Sequence, residues 1–149
     1  MKLLKLVCLF VFVIGVSTAG AVEGLVKFKS PHSATMTMNR LETAVTDKGL
    51  KVFARIDHAA GAASIGQNLR PTELLIFGNP RGGTPFMHCS QTVAIELPLK
   101  AIVWQDAEGT VWLGYNSPRY LAERHAVQGC AVVEKLEQVL AGLVDEVLD

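Results

Sequence analysis

The segment Gly78-Asn79-Pro80-Arg81-Gly82-Gly83-Thr84 combines turn-forming residues, a cation and the start of a helix, which is the make-up of an anion-binding surface. Free backbone N–H groups at a helix N-terminus carry a partial positive charge, and Arg81 adds a full one. It is not a nucleotide phosphate loop: Gly78 and Gly83 have the four-residue gap, but Thr84 and Pro85 stand where Lys and Ser or Thr are required. A tight strand-to-helix turn, with Gly and Pro present for backbone reasons, accounts for the same residues. Upstream, Asp57-His58 offers an imidazole that titrates near neutral pH beside a carboxylate that could orient it. Neighbours on a strand point to opposite faces, so that pairing is not forced. His58, Asn79, Arg81 and Thr84 are the candidate ligand-binding residues.

Met87, His88 and Cys89 supply soft or borderline metal-ligand atoms of the kind that select copper(I), with Met36, Met38 and His32 supplying more. Consecutive helix positions diverge by about 100°, so the first three cannot chelate one ion, and the methionines read as core filler. His88 and Cys89 remain weak metal candidates, and no cofactor is implied. A thiolate–imidazole pair of Cys89 with His58 or His125 lacks any local signature of a cysteine nucleophile, so no catalytic residue is assigned. Cys89 and Cys130 are either joined or two free, buried thiols. Free thiols are the expectation, because disulfide geometry is not visible in sequence.

These residues must be positioned by a chain of 149 residues with 14 basic and 14 acidic side chains, a balance that argues against electrostatic nucleic-acid binding. Lys2 and Lys5 precede an 11-residue apolar run, Leu6 to Val16, and the small residues Ser17 to Ala21. That run is too short for a bilayer-spanning helix of about 20 residues and suits a secretory signal, so residues 1–21 are expected to be removed after Ala21. A retained anchor is the rival reading. The mature chain of 128 residues keeps 12 basic and 14 acidic side chains, a charge of −2, and two cysteines. Such a chain would be periplasmic or secreted, in a compartment that permits disulfides.

Alternation predicts strands over Gly24–Lys29 and Leu50–Asp57, the short continuous apolar run Glu73–Phe77 fits a strand covered on both faces, and the β-prone runs Lys100–Gln105 and Thr110–Tyr115 form a hairpin around Asp106–Gly109. Three- and four-residue spacing predicts a helix from Thr35 or Thr37 to Lys48, capped by one of those threonines. A helical turn or two follows at His58–Ala63, then a helix over Pro85–Gln91 capped by Thr84, and another opened by Ser117-Pro118. The clearest helix runs from Ala131 to Leu148, with Val133, Leu136, Val139, Leu140, Leu143, Val144 and Val147 on one face. The order β-α-β-α-β-α-β-β-α-α over residues 22–149 predicts a single α+β domain, a two-layer arrangement of helices over a mostly antiparallel sheet. Trp104, Trp112 and Tyr115 fall on or beside the hairpin, where core packing is their default role.

Val52-Phe-Ala-Arg-Ile-Asp-His-Ala-Ala-Gly-Ala62, Pro71-Thr-Glu-Leu-Leu-Ile-Phe-Gly-Asn-Pro80, Gly83-Thr-Pro85, Leu97-Pro-Leu99 and Val111-Trp-Leu-Gly-Tyr-Asn116 resemble, in this order, the bacterial domain of unknown function 302. The resemblance covers about residues 30–148. It implies a small α+β fold, a homodimer and frequent export, with no established reaction, substrate or cofactor. His88 and Cys89 depart from it, standing where the family usually has a glutamine and a small residue. The expected function is therefore an exported domain that binds a small ligand or a partner protein without demonstrated catalysis. The alternatives are a periplasmic redox or metal-dependent factor using His88 and Cys89, and a structural or adaptor dimer.

Overall fold

The computed structural model describes residues 22–149; the expected export signal, with Cys8, lies outside them. Five strands and five helices follow one another as β1 (Leu25–Lys29), α1 (Ala34–Asp47), β2 (Lys51–Asp57), α2 (His58–Ser64), β3 (Thr72–Gly78), α3 (Pro80–Cys89), β4 (Leu99–Gln105), β5 (Val111–Asn116), α4 (Pro118–Arg124) and α5 (Val132–Leu148). A 3-10 turn, Gln91–Glu96, separates α3 from β4. The strands form one antiparallel sheet in the order β1-β5-β4-β3-β2, so the expected α+β architecture is what the chain adopts.

Strand alternation divides the sheet into two unlike faces. Toward the helices point Leu75 and Phe77 of β3, Leu99, Ala101 and Val103 of β4, and Leu113 and Tyr115 of β5, all buried. α1 lies against β2 to β5, and α5 lies against α1, α3 and α4. On the opposite face Ile56, Leu74 and Ile102 form a continuous cross-strand row, next to Trp104 and Trp112 stacked at 6.3 Å. These side chains are only partly buried, and Ile56 is exposed. The expectation that Glu73–Phe77 is covered on both faces thus fails for Leu74 and Ile76, because both long helices pack on one side. Trp104 and Trp112 likewise lie outside the core.

Local chemistry explains the helix ends. Ser33, rather than Thr35 or Thr37, caps α1 by accepting from the Met36 N–H at 3.3 Å. Thr37 turns inward instead, donating to the Ser33 carbonyl at 2.8 Å and sharing a buried hydrogen bond with Ser30. At the edge of the sheet Arg55 is a clamp: Nε donates to Glu73 at 2.6 Å, and Nη1 donates to Asn39 at 2.7 Å and Glu42 at 3.1 Å, tying β2 and β3 to α1.

The β4–β5 hairpin is organised by Asp106. Its carboxylate accepts from the Trp112 indole N–H at 2.7 Å, the Thr110 N–H at 2.8 Å and the Glu108 N–H at 3.1 Å. The indole bond, then the two backbone bonds, hold this carboxyl below the usual carboxylate range. A carboxyl depressed on folding stabilises the fold above its unfolded pKa and loses that contribution as the pH falls through its folded value. The urea midpoint of the wild type is therefore expected to fall more steeply than that of Asp106→Asn as the pH is lowered below about 4. Parallel pH profiles for the two proteins would remove Asp106 from this role.

Candidate functional site

Where β3 ends at Gly78 and β4 begins at Leu99, the sheet, α3, the 3-10 turn and the start of α5 enclose an open cleft of about 510 Å³. α5 contributes Val132, Lys135, Leu136 and Val139, spaced by three, one and three residues and so on one helical face. Phe53 comes from the opposite wall. It is the extra residue of a β-bulge between Val52 and Ala54, and such an irregularity re-aims a side chain that regular pleating would direct elsewhere. Met87, Leu97 and Pro98 add further apolar surface. The polar side chains of the lining are Asn79, Arg81, Thr84 and Lys135, and no His, Cys, Asp or Glu is among them.

The glycine-rich segment differs from its expected form. α3 begins at Pro80 rather than Pro85, with Asn79 as its cap: the Asn79 side chain accepts from the Gly82 N–H at 3.0 Å. Asn79-Pro80 carries the same cap-and-proline signature as Thr84-Pro85, and the earlier pair starts the helix, leaving Pro85 inside it. The N–H groups of Gly82 and Gly83 are both bonded to Asn79, so the segment is not an open nest of backbone donors. Its glycines serve packing. A Cβ on Gly82 would stand 3.2 Å from Leu136 of α5, and one on Gly83 would stand 3.4 Å from Leu97.

Of the four candidate ligand-binding residues, the structure brings Asn79, Arg81 and Thr84 to the cleft and leaves His58 out. The register explains this: Lys51 pairs with Gly78 at one end of β2, and Asp57 pairs with Glu73 at the other. Seven residues of strand separate the two ends by about 20 Å. His58 is exposed on the first turn of α2, and Asp57 caps that helix by accepting from the Ala60 N–H at 2.9 Å instead of orienting the imidazole. Sequence reasoning missed Phe53 and Lys135. It also missed His125, whose Nδ1 lies 2.8 Å from the Thr92 hydroxyl and whose Nε2 lies 3.3 Å from Glu96. That contact braces the 3-10 turn, one wall of the cleft, against the end of α4.

Cys89 and Cys130 are joined, with Cα atoms 6.1 Å apart. The expectation of two free thiols is corrected, and with it any thiolate role for Cys89, since a disulfide sulfur is neither the nucleophile nor the metal ligand that a thiolate is. His88 is exposed beside it, and no group of three or more His, Cys, Asp or Glu among the described residues is placed to hold a metal ion. The bridge links the last residue of α3 to the segment that opens α5, so both helical walls of the cleft are covalently connected.

The model of the family described as domain of unknown function DUF302 matches residues 26–143. The chain is 45% identical over 105 residues to the fluoride-specific ion channel FluC 1 of Brucella suis biovar 1, a match covering 70% of this chain and 41% of that protein. FluC 1 of Brucella abortus biovar 1 matches at the same identity over 39% of its length. The chain thus spans about two-fifths of these relatives. Its fold is similar to the crystal structure of an uncharacterized conserved DUF302 protein from Bacillus stearothermophilus, with a TM-score of 0.73, 21% identity, and coverage of 84% of this chain and 98% of that one.

Cross-linking across a separation of 41 residues is worth about 4 kcal/mol by loop closure. In residues 22–149, Cys89→Ala/Cys130→Ala is expected to lower unfolding stability by about 3–4 kcal/mol. The measurement is a urea titration, accompanied by thiol counting under denaturing, non-reducing conditions. Two reactive thiols in the wild type, or an unchanged urea midpoint in the double variant, would refute the bridge as a stabilising element.

Proposed function

Because the chain belongs to the DUF302 family, whose description names no activity, its own cleft must carry the functional argument, and we propose that it is an exported binding domain holding a small organic ligand between α3 and α5. The observation that carries this reading is the cleft's combination of size and lining. Its volume of about 510 Å³ falls within the range, roughly 300–1,000 Å³, of pockets that hold small ligands. Its walls are mostly apolar with a few polar groups, the pattern that binds by burial and orients by polarity. The lining brings no imidazole, thiol or carboxyl beside Thr84 or Lys135 to activate either as a nucleophile, so its chemistry supports binding.

Export is supported by the signal-like residues 1–21 and by the Cys89–Cys130 bridge, which belongs to an oxidising compartment. No helix among the described residues is long and apolar enough to cross a membrane. The channel function named for the Brucella relatives is not extended to this chain, which matches only part of those proteins.

A neutral apolar fluorophore, N-phenyl-1-naphthylamine, is expected to bind the wild type with enhanced, saturable emission. Ala94→Trp fills the cleft from an exposed position and is expected to weaken that binding at least tenfold without changing the circular dichroism spectrum. If the probe fails to bind, or if Ala94→Trp binds it equally well, the cleft is not a ligand site.

The face of the sheet opposite α1 and α5 supports the homodimer that the family resemblance implies. Its row of exposed Ile56 and half-buried Leu74 and Ile102, beside stacked Trp104 and Trp112, is the kind of contiguous apolar surface that a second copy would cover. Ile102→Glu, at the centre of this face, is expected to convert a dimer in light-scattering measurements to a folded monomer. A wild type that is monomeric at micromolar concentration, or a variant that stays dimeric, contradicts this arrangement.

A further inference from the structure

The charges of the cleft narrow its ligand class, an argument that rests on the binding role proposed above. Arg81 and Lys135 are the ionisable side chains of the lining, both positive, both exposed and therefore at its mouth. Neither forms an ion pair among the described residues, whereas Lys48, Arg55, Arg119 and Arg124 each have a carboxylate within 4 Å. A ligand head beside two unpaired cations gains Coulomb energy if it is anionic, gains none if it is neutral and is repelled if it is cationic.

Three further features add to the positive field. α3 and α5 both start at the cleft, through Pro80 and Val132, so the positive ends of two helix dipoles face it. The N-terminus of α5 has no side-chain cap, and Glu134 in its first turn offsets only part of that end's charge. Lys51 lies just outside, with its ammonium 5.1 Å from the ring centroid of the lining residue Phe53. The nearest acids along α5, Glu134 and Glu137, are not part of the lining, and Glu137 is bound to Arg119 at 2.7 Å.

We infer that the cleft binds a free anionic amphiphile, with its hydrocarbon portion against the apolar walls and its acidic head at the mouth between Arg81 and Lys135. The apolar part supplies affinity by burial, and the two cations select the head group.

The test is displacement of N-phenyl-1-naphthylamine from residues 22–149 by decanoate, 1-decanol and decyltrimethylammonium, each below its aggregation limit. Decanoate is expected to bind at least tenfold more tightly than decanol, and decyltrimethylammonium more weakly still. In Arg81→Gln/Lys135→Gln the advantage of decanoate over decanol is expected to fall to threefold or less while the fluorophore binds as before. Added salt should weaken decanoate binding and leave decanol unaffected. Equal binding of decanoate and decanol, or an undiminished preference in the double variant, overturns the anionic class while leaving the cleft as a ligand site. Failure of the fluorophore itself to bind removes both. Co-sedimentation with phosphatidylglycerol vesicles without any binding of decanoate overturns the free amphiphile in favour of a membrane-presented head group.

Discussion

Met38, Leu41 and Val45 of α1 and Leu140, Leu143 and Val147 of α5 are buried with Leu75, Phe77, Val103 and Leu113 of the sheet, and none of the ten is more than 2% exposed. Full burial of each such side chain is worth about 1.5–3 kcal/mol, whereas the net stability of a domain is about 5–15 kcal/mol. Loss of a few would unfold the protein, so the placement of α1 and α5 on one face of the sheet is not negotiable. The other face is left with half-buried apolar side chains as a direct result.

The same constraint produces the cleft. α5 is 17 residues long, about 25 Å, and its buried stripe serves the core while a second row through Val132, Leu136 and Val139 faces α3. α3 can approach because Gly82 and Gly83 have no side chains to hold it away from Leu136 and Leu97. The disulfide then fixes one end of the gap and the bulge at Phe53 bounds another. What remains open is a space whose walls were shaped by helix packing and whose rim carries the charges that packing excluded.

Much of this was legible in the sequence. Alternation, a short apolar run and a hairpin turn between β-prone runs located all five strands, and the spacing of Val133, Leu136, Leu140, Leu143 and Val147 located α5 and its buried face. Local rules failed where two local signals competed, as with the cap-proline pairs Asn79-Pro80 and Thr84-Pro85. They also failed where the deciding fact was non-local. Whether Cys89 meets Cys130 depends on how α3 docks on α5. His58 and Arg81 each follow a strand in the sequence, yet antiparallel pairing sends the ends of β2 and β3 in opposite directions. Lys135 reads as one more solvated charge on a helix until the helix has a neighbour, and Phe53 reads as an ordinary strand residue until the bulge is seen.

The bulge has a second effect, on assembly. β1 and β2 are the edges of the sheet, and a regular exposed edge is a template for pairing with another chain. The register break between Val52 and Ala54 interrupts the ladder of β2, and Lys27 and Lys29 place two like charges along β1. Strand-to-strand growth into open-ended polymers is discouraged at both ends, which keeps a sheet with one bare apolar side from becoming the seed of a fibre.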